Sequence, residues 1–388
     1  MKKTICILGS TGSIGTTTLK IILDKKRLFE INTLVANKNF NTIIHQIRKY
    51  KPKNFVINDK NVFDRVKKKK FTKTKIHNNL NFFTKGKKID LVISAIPGLA
   101  GLEPTIKSIT NCRKILLANK ESIICGWDII VKLSKKNNVK IVPIDSEHFS
   151  ITKLLEGHKK DEVEKIYLTA SGGPFFGKKI NLKNITPHQA IKHPKWSMGK
   201  KISIDSSNMM NKVFEVLEAQ KLFAYPLNKF DIIIHPESLV HAIIKFKNGI
   251  TKFLYHEPTM VIPISNALFD SEVKIKSFLN HNTNNQLKQL NFFPTDKKKF
   301  PAINLLYKYK QYPSTPIILN AANEILVDNF LRKKIGYTSI IAYLFKVLKD
   351  KKYIKYAIKS PKSLNEVHGI DSWTRDLTLK TIFKYKKK

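Results

Sequence analysis

The sequence predicts an α/β protein in three parts: a doubly wound parallel sheet over residues 1–145, a central α+β domain over 146–270 and, after a linker at 271–300, a helical bundle over 301–388. Three observations carry this expectation. Up to residue 145, short apolar runs alternate with amphipathic stretches, the pattern of strands that cross over through helices into a parallel sheet. After Asp145 the alternation stops, and the apolar runs Val163–Ala170, Asp231–Ile234 and His241–Phe246 no longer alternate regularly with helices. From Pro301 onward apolar residues recur at helical spacing, most clearly in Leu319–Val327 and Ile340–Leu344.

Six runs read as strands of the first part: Thr4–Leu8, Ile31–Ala36, Asn54–Ile57, Asp90–Ala95, Lys114–Ala118 and Lys140–Ile144. Directly after the first comes GSTGSIG, Gly9 to Gly15, leading into a helical pattern through Leu19, Ile22 and Leu23. In a Rossmann-like sheet this is where a pyrophosphate sits, because glycines let the backbone approach the ligand and the helix start offers unpaired N–H groups. The spacing is G-x-x-G-x-x-G rather than the commoner G-x-G-x-x-G, and a tight turn without ligand is the other reading. The second strand ends in Asn37-Lys38-Asn39, where an NAD enzyme tends to carry an acid for the ribose hydroxyl. A cation there favours NADP, although Lys38 is equally one more surface lysine. Ser94–Gly101 forms a second strand-to-glycine turn, suited to the nicotinamide end. Asn119-Lys120-Glu121 follows the fifth strand, which puts a lysine and an acid at the ligand-binding edge of the sheet or simply at a helix start.

The sixth strand runs out into Asp145-Ser146-Glu147-His148. Alternation along an extended chain points Asp145 and Glu147 the same way, and two convergent carboxylates suit a hard ion such as Mg²⁺ or Mn²⁺. Alone, such a triplet is more often two solvated acids in a loop.

In the central part, Lys245–Phe253 reads as a hairpin whose Asn248-Gly249 pair suits a type I′ turn. Ser171-Gly172-Gly173-Pro174-Phe175 follows a strand and is suited to cradle an anion. His193-Pro194-Lys195-Trp196-Ser197-Met198-Gly199 has the composition of a mobile lid, with Trp196 to cover substrate, Gly199 to bend and His193 to donate to phosphate; a packed loop anchored by its tryptophan is the alternative. Asp205–Ala219 reads as one helix, on which Asn211 and Glu215 share a face four residues apart, beside Ser206 and Lys212.

Composition limits the partners. The net charge is +42, which raises nucleic acid or an anionic membrane as a partner. The lysines are spread along the chain, with one run at Lys67–Lys70 and a basic tail at Lys386–Lys388, and no recognition-helix signal accompanies them. A biased composition rich in Asn and Ile is the simpler cause, so no specific nucleic acid is expected. Cys6, Cys112 and Cys125 lack zinc-type spacing and are too few for a disulfide framework, which fits a reducing cytoplasm. Met1-Lys2-Lys3 resembles a secretory start, but the apolar run after it is too short, and no stretch reaches the ~18 apolar residues of a membrane span.

Taken together, GSTGSIG, LLANKES from Leu116, PIDSEH from Pro143, ASGGPF from Ala170, HPKWSMGKKISIDSSNMMNK from His193, HPES from His235 and NAANE from Asn320 closely resemble the 1-deoxy-D-xylulose 5-phosphate reductoisomerase family, nearly end to end. The resemblance implies a catalytic role for the central domain, NADPH, a divalent metal (Mg²⁺ or Mn²⁺, with Co²⁺ a further candidate) and a homodimer. The reaction it implies is a carbon-skeleton rearrangement of the ketose phosphate followed by hydride reduction to 2-C-methyl-D-erythritol 4-phosphate. By motif, Asp145, Glu147 and Glu215 match metal ligands. Ser171, His193, Ser206, Asn211 and Lys212 match the phosphate end, Ser146 and Lys120 the reacting end, and Trp196 and Met198 the lid. Thr11, Gly12, Ser13, Ile14, Asn37, Lys38, Asn39, Asn119, Glu121 and Gly199 match dinucleotide positions, and His235 a residue that shapes the pocket or moves protons. Two departures stand out. Asn37 replaces a common Gly, tolerable because Asn also accepts positive φ. Pro258-Thr259-Met260-Val261-Ile262-Pro263 lacks the family's usual Asp and Arg, which removes a polar contact expected at a domain or subunit interface. A polyanion-binding protein on an enzyme-like fold and a metal-independent Rossmann oxidoreductase are the rival expectations.

Overall fold

The computed structural model describes residues 2–84, 87–196, 198–269, 289–307 and 310–386. The chain forms two compact units: the first takes in the N-terminal stretch to Ser122, Trp127–Phe149 and the segment that starts at Thr259, and the second Ile123–Gly126, Ser150–Pro258 and the C-terminal stretch.

The first unit runs β1 (Lys3–Leu8), α1 (Ser13–Asp24), β2 (Phe29–Ala36), α2 (Phe40–Tyr50), β3 (Asn54–Ile57), α3 (Lys60–Lys67), β4 (Lys75–His77), β5 (Ile89–Ser94), α4 (Leu102–Ile109), β6 (Cys112–Leu117), α5 (Lys120–Asn137), β7 (Lys140–Pro143) and the start of α6 (Ser146–Leu155). Its strands pair in the order β4-β3-β2-β1-β5-β6-β7, all parallel. The doubly wound sheet is therefore as expected, with one strand more than the six read from the sequence. β4 was missed because its three residues include one apolar side chain, Ile76, and its place is fixed by pairing with β3. The order reverses between β1 and β5, the switch point where such sheets open a crevice for ligand. Ile5, Cys6, Ile7 and Leu8 are 0% exposed, as expected of a strand covered on both faces.

The second unit continues with β8 (Val163–Ala170), α7 (Pro187–Ala190), α8 (Lys200–Ser207), α9 (Met210–Phe223), β9 (Phe230–Ile234), β10 (Val240–Phe246) and β11 (Thr251–Tyr255). The stretch read as one helix from Asp205 is two, broken where Met209 takes φ +67° and Asn208 Oδ1 accepts from Met210 N at 2.9 Å. The β10–β11 hairpin is present, but only Gly249 has positive φ (+87°) while Asn248 does not. Gly249 N donates to Phe246 O at 3.0 Å, so the connection is a three-residue loop closed by a left-handed glycine, not a type I′ turn.

After β11 the chain returns to the first unit. There α10 (Val261–Leu268) buries Ile264 and Leu268 in the core that contains Leu19 and Ile22, and Phe269 meets Phe29 edge-on at 5.5 Å. The expected central domain to residue 270 is corrected at Thr259. In the altered segment, Met260 and Val261 pack on this core and Thr259 Oγ1 accepts from Val261 N at 3.2 Å.

Residues 271–288 of the expected linker lie outside the described residues. Its end is no linker, since β12 (Phe293–Pro294) pairs antiparallel with β9 and completes the mixed sheet β11-β10-β8-β9-β12. The expected bundle follows as α11 (Asn304–Tyr307), α12 (Thr315–Leu331), α13 (Tyr337–Leu348), α14 (Tyr353–Ala357) and α15 (Leu364–Lys386). Helix α12 is buried nearly all round, with Leu319, Ala322 and Leu326 at 0% exposed, as its apolar sequence dictates.

Candidate active site

In the first unit the loops after β1, β5, β6 and β7 leave the carboxyl edge of the sheet. Gly9, at φ +86°, turns the chain so tightly over β5 that a Cβ there would lie 2.6 Å from Ala95 O. Helix α1 then starts at Gly12, which gives it no side-chain cap, so its first turn keeps N–H groups for a ligand. Thr11, Gly12, Ser13 and Ile14 form this turn. Asn37, Lys38 and Asn39 are exposed at the end of β2. Asn37 does not take positive φ, so the exchange from Gly needs no special tolerance. Asn39 serves as N-cap of α2, its Oδ1 accepting from Thr42 N at 3.2 Å.

Asn119, buried at 3% exposed, caps α5 through Ser122 N at 2.7 Å and donates its amide to Ile96 O and Gly98 O, tying the loop after β6 to the loop after β5. The next two residues are buried, and Lys120 Nζ stands 3.3 Å from Asp145 Oδ2 across the ends of β6 and β7. Asp145 and Glu147 do reach that edge, but not through strand alternation. Asp145 O accepts from Phe149 N at 2.8 Å and Glu147 lies in the first turn of α6, where the helix dipole favours a carboxylate. Ser146 Oγ donates to Glu147 Oε2 at 2.6 Å, fixing that side chain.

In the second unit, the loop after β8 presents Ser171. His193 Nδ1 accepts from Trp196 N at 2.9 Å and Lys195 N at 3.2 Å, so its proton sits on Nε2 and points at Ser171 Oγ, 2.9 Å away. Gly173 N also donates to Ser171 Oγ, at 3.2 Å, which leaves the hydroxyl proton for an anion. Burial, reinforced by the Lys212 charge, lowers the pKa of His193 to about 4, so it is a neutral donor. Ser171 and His193 face a cleft of about 930 Å³ whose wall also includes Phe175, Lys192, Lys195 and Glu237. On α9, Glu215 is 2% exposed on its side chain and is held by Lys212 Nζ and Asn211 Nδ2 from the preceding turn. Ser206 lies in the last turn of α8, one residue before the buried Ser207 that ends it.

Three expected residues have other surroundings. His235 is 0% exposed, stacks on Phe292 at 4.7 Å and has Nδ1 2.9 Å from Asn291 O, while its neighbours Pro236 and Glu237 line the cleft. Gly199 starts α8 at φ −61°, and a Cβ there would meet nothing, so the structure shows no need for glycine. Met198 is half-buried; Ser197 lies outside the described residues. The sequence reading overlooked His241 and His256, which stack at 3.9 Å, with the Trp196 ring edge-on to His241 at 6.3 Å. His241 follows HPES in the sequence, but a histidine inside an apolar strand gives no signal until its neighbours are known. His148, 0% exposed in the first turn of α6 beside Glu147, was likewise not singled out.

Three family models cover the chain: 1-deoxy-D-xylulose 5-phosphate reductoisomerase at residues 5–126, its C-terminal domain at 141–223 and the DXP reductoisomerase C-terminal domain at 256–377. The 1-deoxy-D-xylulose 5-phosphate reductoisomerase of Pelagibacter ubique is 43% identical over 383 residues, covering 96% of this chain and 97% of its own. A crystal structure of DOX-P reductoisomerase in complex with NADPH, fosmidomycin and magnesium superposes with a TM-score of 0.89 at 31% identity, covering 98% of each chain. The Zymomonas mobilis enzyme in complex with NADPH gives 0.86 at 31% identity, covering 98% of this chain and 99% of its own. The chain belongs to the 1-deoxy-D-xylulose 5-phosphate reductoisomerase family.

Proposed function

We propose that this chain converts 1-deoxy-D-xylulose 5-phosphate into 2-C-methyl-D-erythritol 4-phosphate, using NADPH and a divalent metal. The observation that carries the reading is the Lys120–Asp145 pair at the carboxyl edge of a dinucleotide-type sheet, in a chain matched along its length to this family.

The residues fit both groups. Asp145, Glu147 and Glu215 offer only hard oxygen donors, and ammonium groups already stand against two of them, Lys120 at Asp145 and Lys212 at Glu215. We assign these three carboxylates as the metal ligands, with Mg²⁺ or Mn²⁺ as the ion. When bound, that ion supplies Lewis acidity to the ketose oxygens, and NADPH supplies the hydride. Around them the chain's own groups bind and orient. Lys120 places positive charge at the reacting end, where negative charge grows as the carbon–carbon bond breaks and re-forms. Ser146 holds the Glu147 carboxylate in one orientation. Ser171, whose hydroxyl proton is freed by neutral His193 donating to its oxygen, donates to the phosphate together with Ser206, Asn211 and Lys212, and Trp196 with Met198 covers the sugar and excludes water. The turn from Thr11 to Ile14 takes the pyrophosphate, Lys38 the 2′-phosphate, and Asn119, Glu121 and Gly199 complete the dinucleotide side.

The protein is assigned as a cytoplasmic homodimer. Support for the dimer is the outer strand β11, where Phe253 is 50% and neighbouring Ile250 52% exposed on a sheet edge that pairs with no further strand among the described residues. Support for the compartment is the set of three buried cysteines that form no disulfide, with burial pushing the Cys112 thiol up to about 12. No described helix is long and apolar enough to cross a membrane. Purified protein is expected to oxidise NADPH only with both the ketose phosphate and Mg²⁺ or Mn²⁺ present; oxidation without added metal, or none with either ion, would sink the reading.

A further inference from the structure

The Asn-Ala-Ala-Asn-Glu run on α12 has no part in the chemistry above, yet it reaches the phosphate-binding elements. We propose that Asn323 and Tyr337, on the C-terminal helices, are positioning residues for the phosphate end of the substrate; this rests on the reading of Ser171 and Ser206 as phosphate ligands.

Ser206 is flanked by two anchored neighbours. On one side Asp205, 1% exposed, accepts from Asn323 Nδ2 at 2.8 Å and from Lys201 Nζ at 2.9 Å. On the other, Ser207 Oγ donates to Ile204 O at 2.7 Å, so the Tyr337 hydroxyl 3.0 Å away is the donor to it. Both anchoring residues are themselves fixed: Asn323 is 0% and Tyr337 4% exposed. The same Tyr337 ring meets Phe175, of the loop that carries Ser171, edge-on at 5.5 Å and is backed by Phe330 at 5.7 Å. That loop and the end of α8 touch directly, since a Cβ on Gly173 would lie 3.0 Å from Ser206 O and 3.1 Å from Ser207 Cα. Tyr337 therefore contacts both elements that present phosphate ligands, and Asn323 holds one of them from behind.

The side-chain chemistry suits this role. A carboxylate as buried as Asp205 is retained only where fixed donors meet it, which makes its position, and that of the adjoining Ser206 backbone, insensitive to thermal motion. Asn323 is used only through its amide nitrogen, its Oδ1 having no partner among the described residues; an aspartate there would repel Asp205. Binding of a phosphate by several hydroxyls depends on their mutual spacing, so loosening one neighbour weakens binding while the reacting end keeps its geometry.

Steady-state kinetics with inorganic phosphate as competitive inhibitor test the proposal. Asn323→Ala and Tyr337→Phe are each expected to raise KM for the ketose phosphate and Ki for phosphate about five- to ten-fold, with kcat and the KM for NADPH within about two-fold. Tyr353→Phe is the control, since its hydroxyl makes a comparable buried bond to Thr315 Oγ1 at 2.7 Å elsewhere in the bundle; it should lower Tm and leave KM and Ki alone. Ser206→Ala should raise KM and Ki by itself. If it does while Tyr337→Phe and Asn323→Ala do not, or if Tyr353→Phe or the NADPH KM moves with them, positioning is overturned and the phosphate reading stands. If Ser206→Ala changes neither quantity, the phosphate reading fails and takes the proposal with it. Should Asn323→Ala not fold, Tyr337→Phe, which keeps the ring, decides.

Discussion

Each unit holds a lysine against an acid, and the two pairs are built in different ways. Lys120 and Asp145 come from the ends of two neighbouring strands, 3.3 Å apart, with side chains 10% and 17% exposed. Lys212 and Glu215 lie on one helix three residues apart, with side chains 6% and 2% exposed. The first pair exists only because the sheet brings β6 and β7 side by side. The second is set by helical spacing and is more deeply desolvated. A strand-edge pair can reorganise when ligand arrives, whereas a desolvated helical pair is part of the fold's own energetics.

Neutralising an acid at the helix start that follows β7, beside the Lys120–Asp145 pair, should therefore damage chemistry rather than folding. Glu147→Gln is expected to lower kcat on the order of 10³-fold while leaving NADPH affinity and the urea midpoint nearly unchanged; loss of NADPH binding would mean that Glu147 has a structural role. The stability contrast comes next. Lys212→Met removes the cation beside a carboxylate 2% exposed on its side chain and should cost about 2–4 kcal/mol in urea unfolding, against about 1 kcal/mol for Lys120→Met. Equal losses would break the comparison.

A smaller effect separates His193 from the charged groups. Its folded pKa, about 4, lies below the ordinary 6.5, so between those values the unfolded chain binds a proton that the folded chain does not. Stability contributed this way is complete above pH 6.5 and is lost as pH falls towards 4. Ring-proton NMR of the ligand-free protein should show His193 neutral at pH 5.5, and a midpoint near 6.5 would refute its neutral-donor role. The smallest effect belongs to the exposed Lys38: Lys38→Ala should weaken NADPH about three- to five-fold and leave stability alone. No change would make it one more surface lysine.

Legibility followed the same division. The strands of the parallel sheet, the glycine turn and the acids at the end of β7 were readable because short apolar runs and loop position are written locally. What was misread depended on partners distant in sequence. β4 has one apolar residue and forms because β3 offers an edge. β12 looks like linker and becomes a strand against β9. Asp145 and Glu147 do follow β7, but as the start of α6 and not as alternate residues of a strand. His241 and the anchoring Asn323 carry polar atoms inside apolar patterns, and pattern alone cannot say what they bond. The break at Met209 is invisible in a sequence whose residues all tolerate helix.

The return of α10 to the first core bears on how the protein is made. On a ribosome, the chain through Phe149 emerges with every strand of the parallel sheet, but Ile264 and Leu268, which cover α1, are translated only after all of Ser150–Pro258. Until then Leu19 and Ile22 lack part of their cover, an exposed apolar face of the kind chaperones bind during synthesis. A chain cut anywhere before Thr259 would keep that defect permanently, so a free-standing first unit would have to receive the 259–269 segment as a graft.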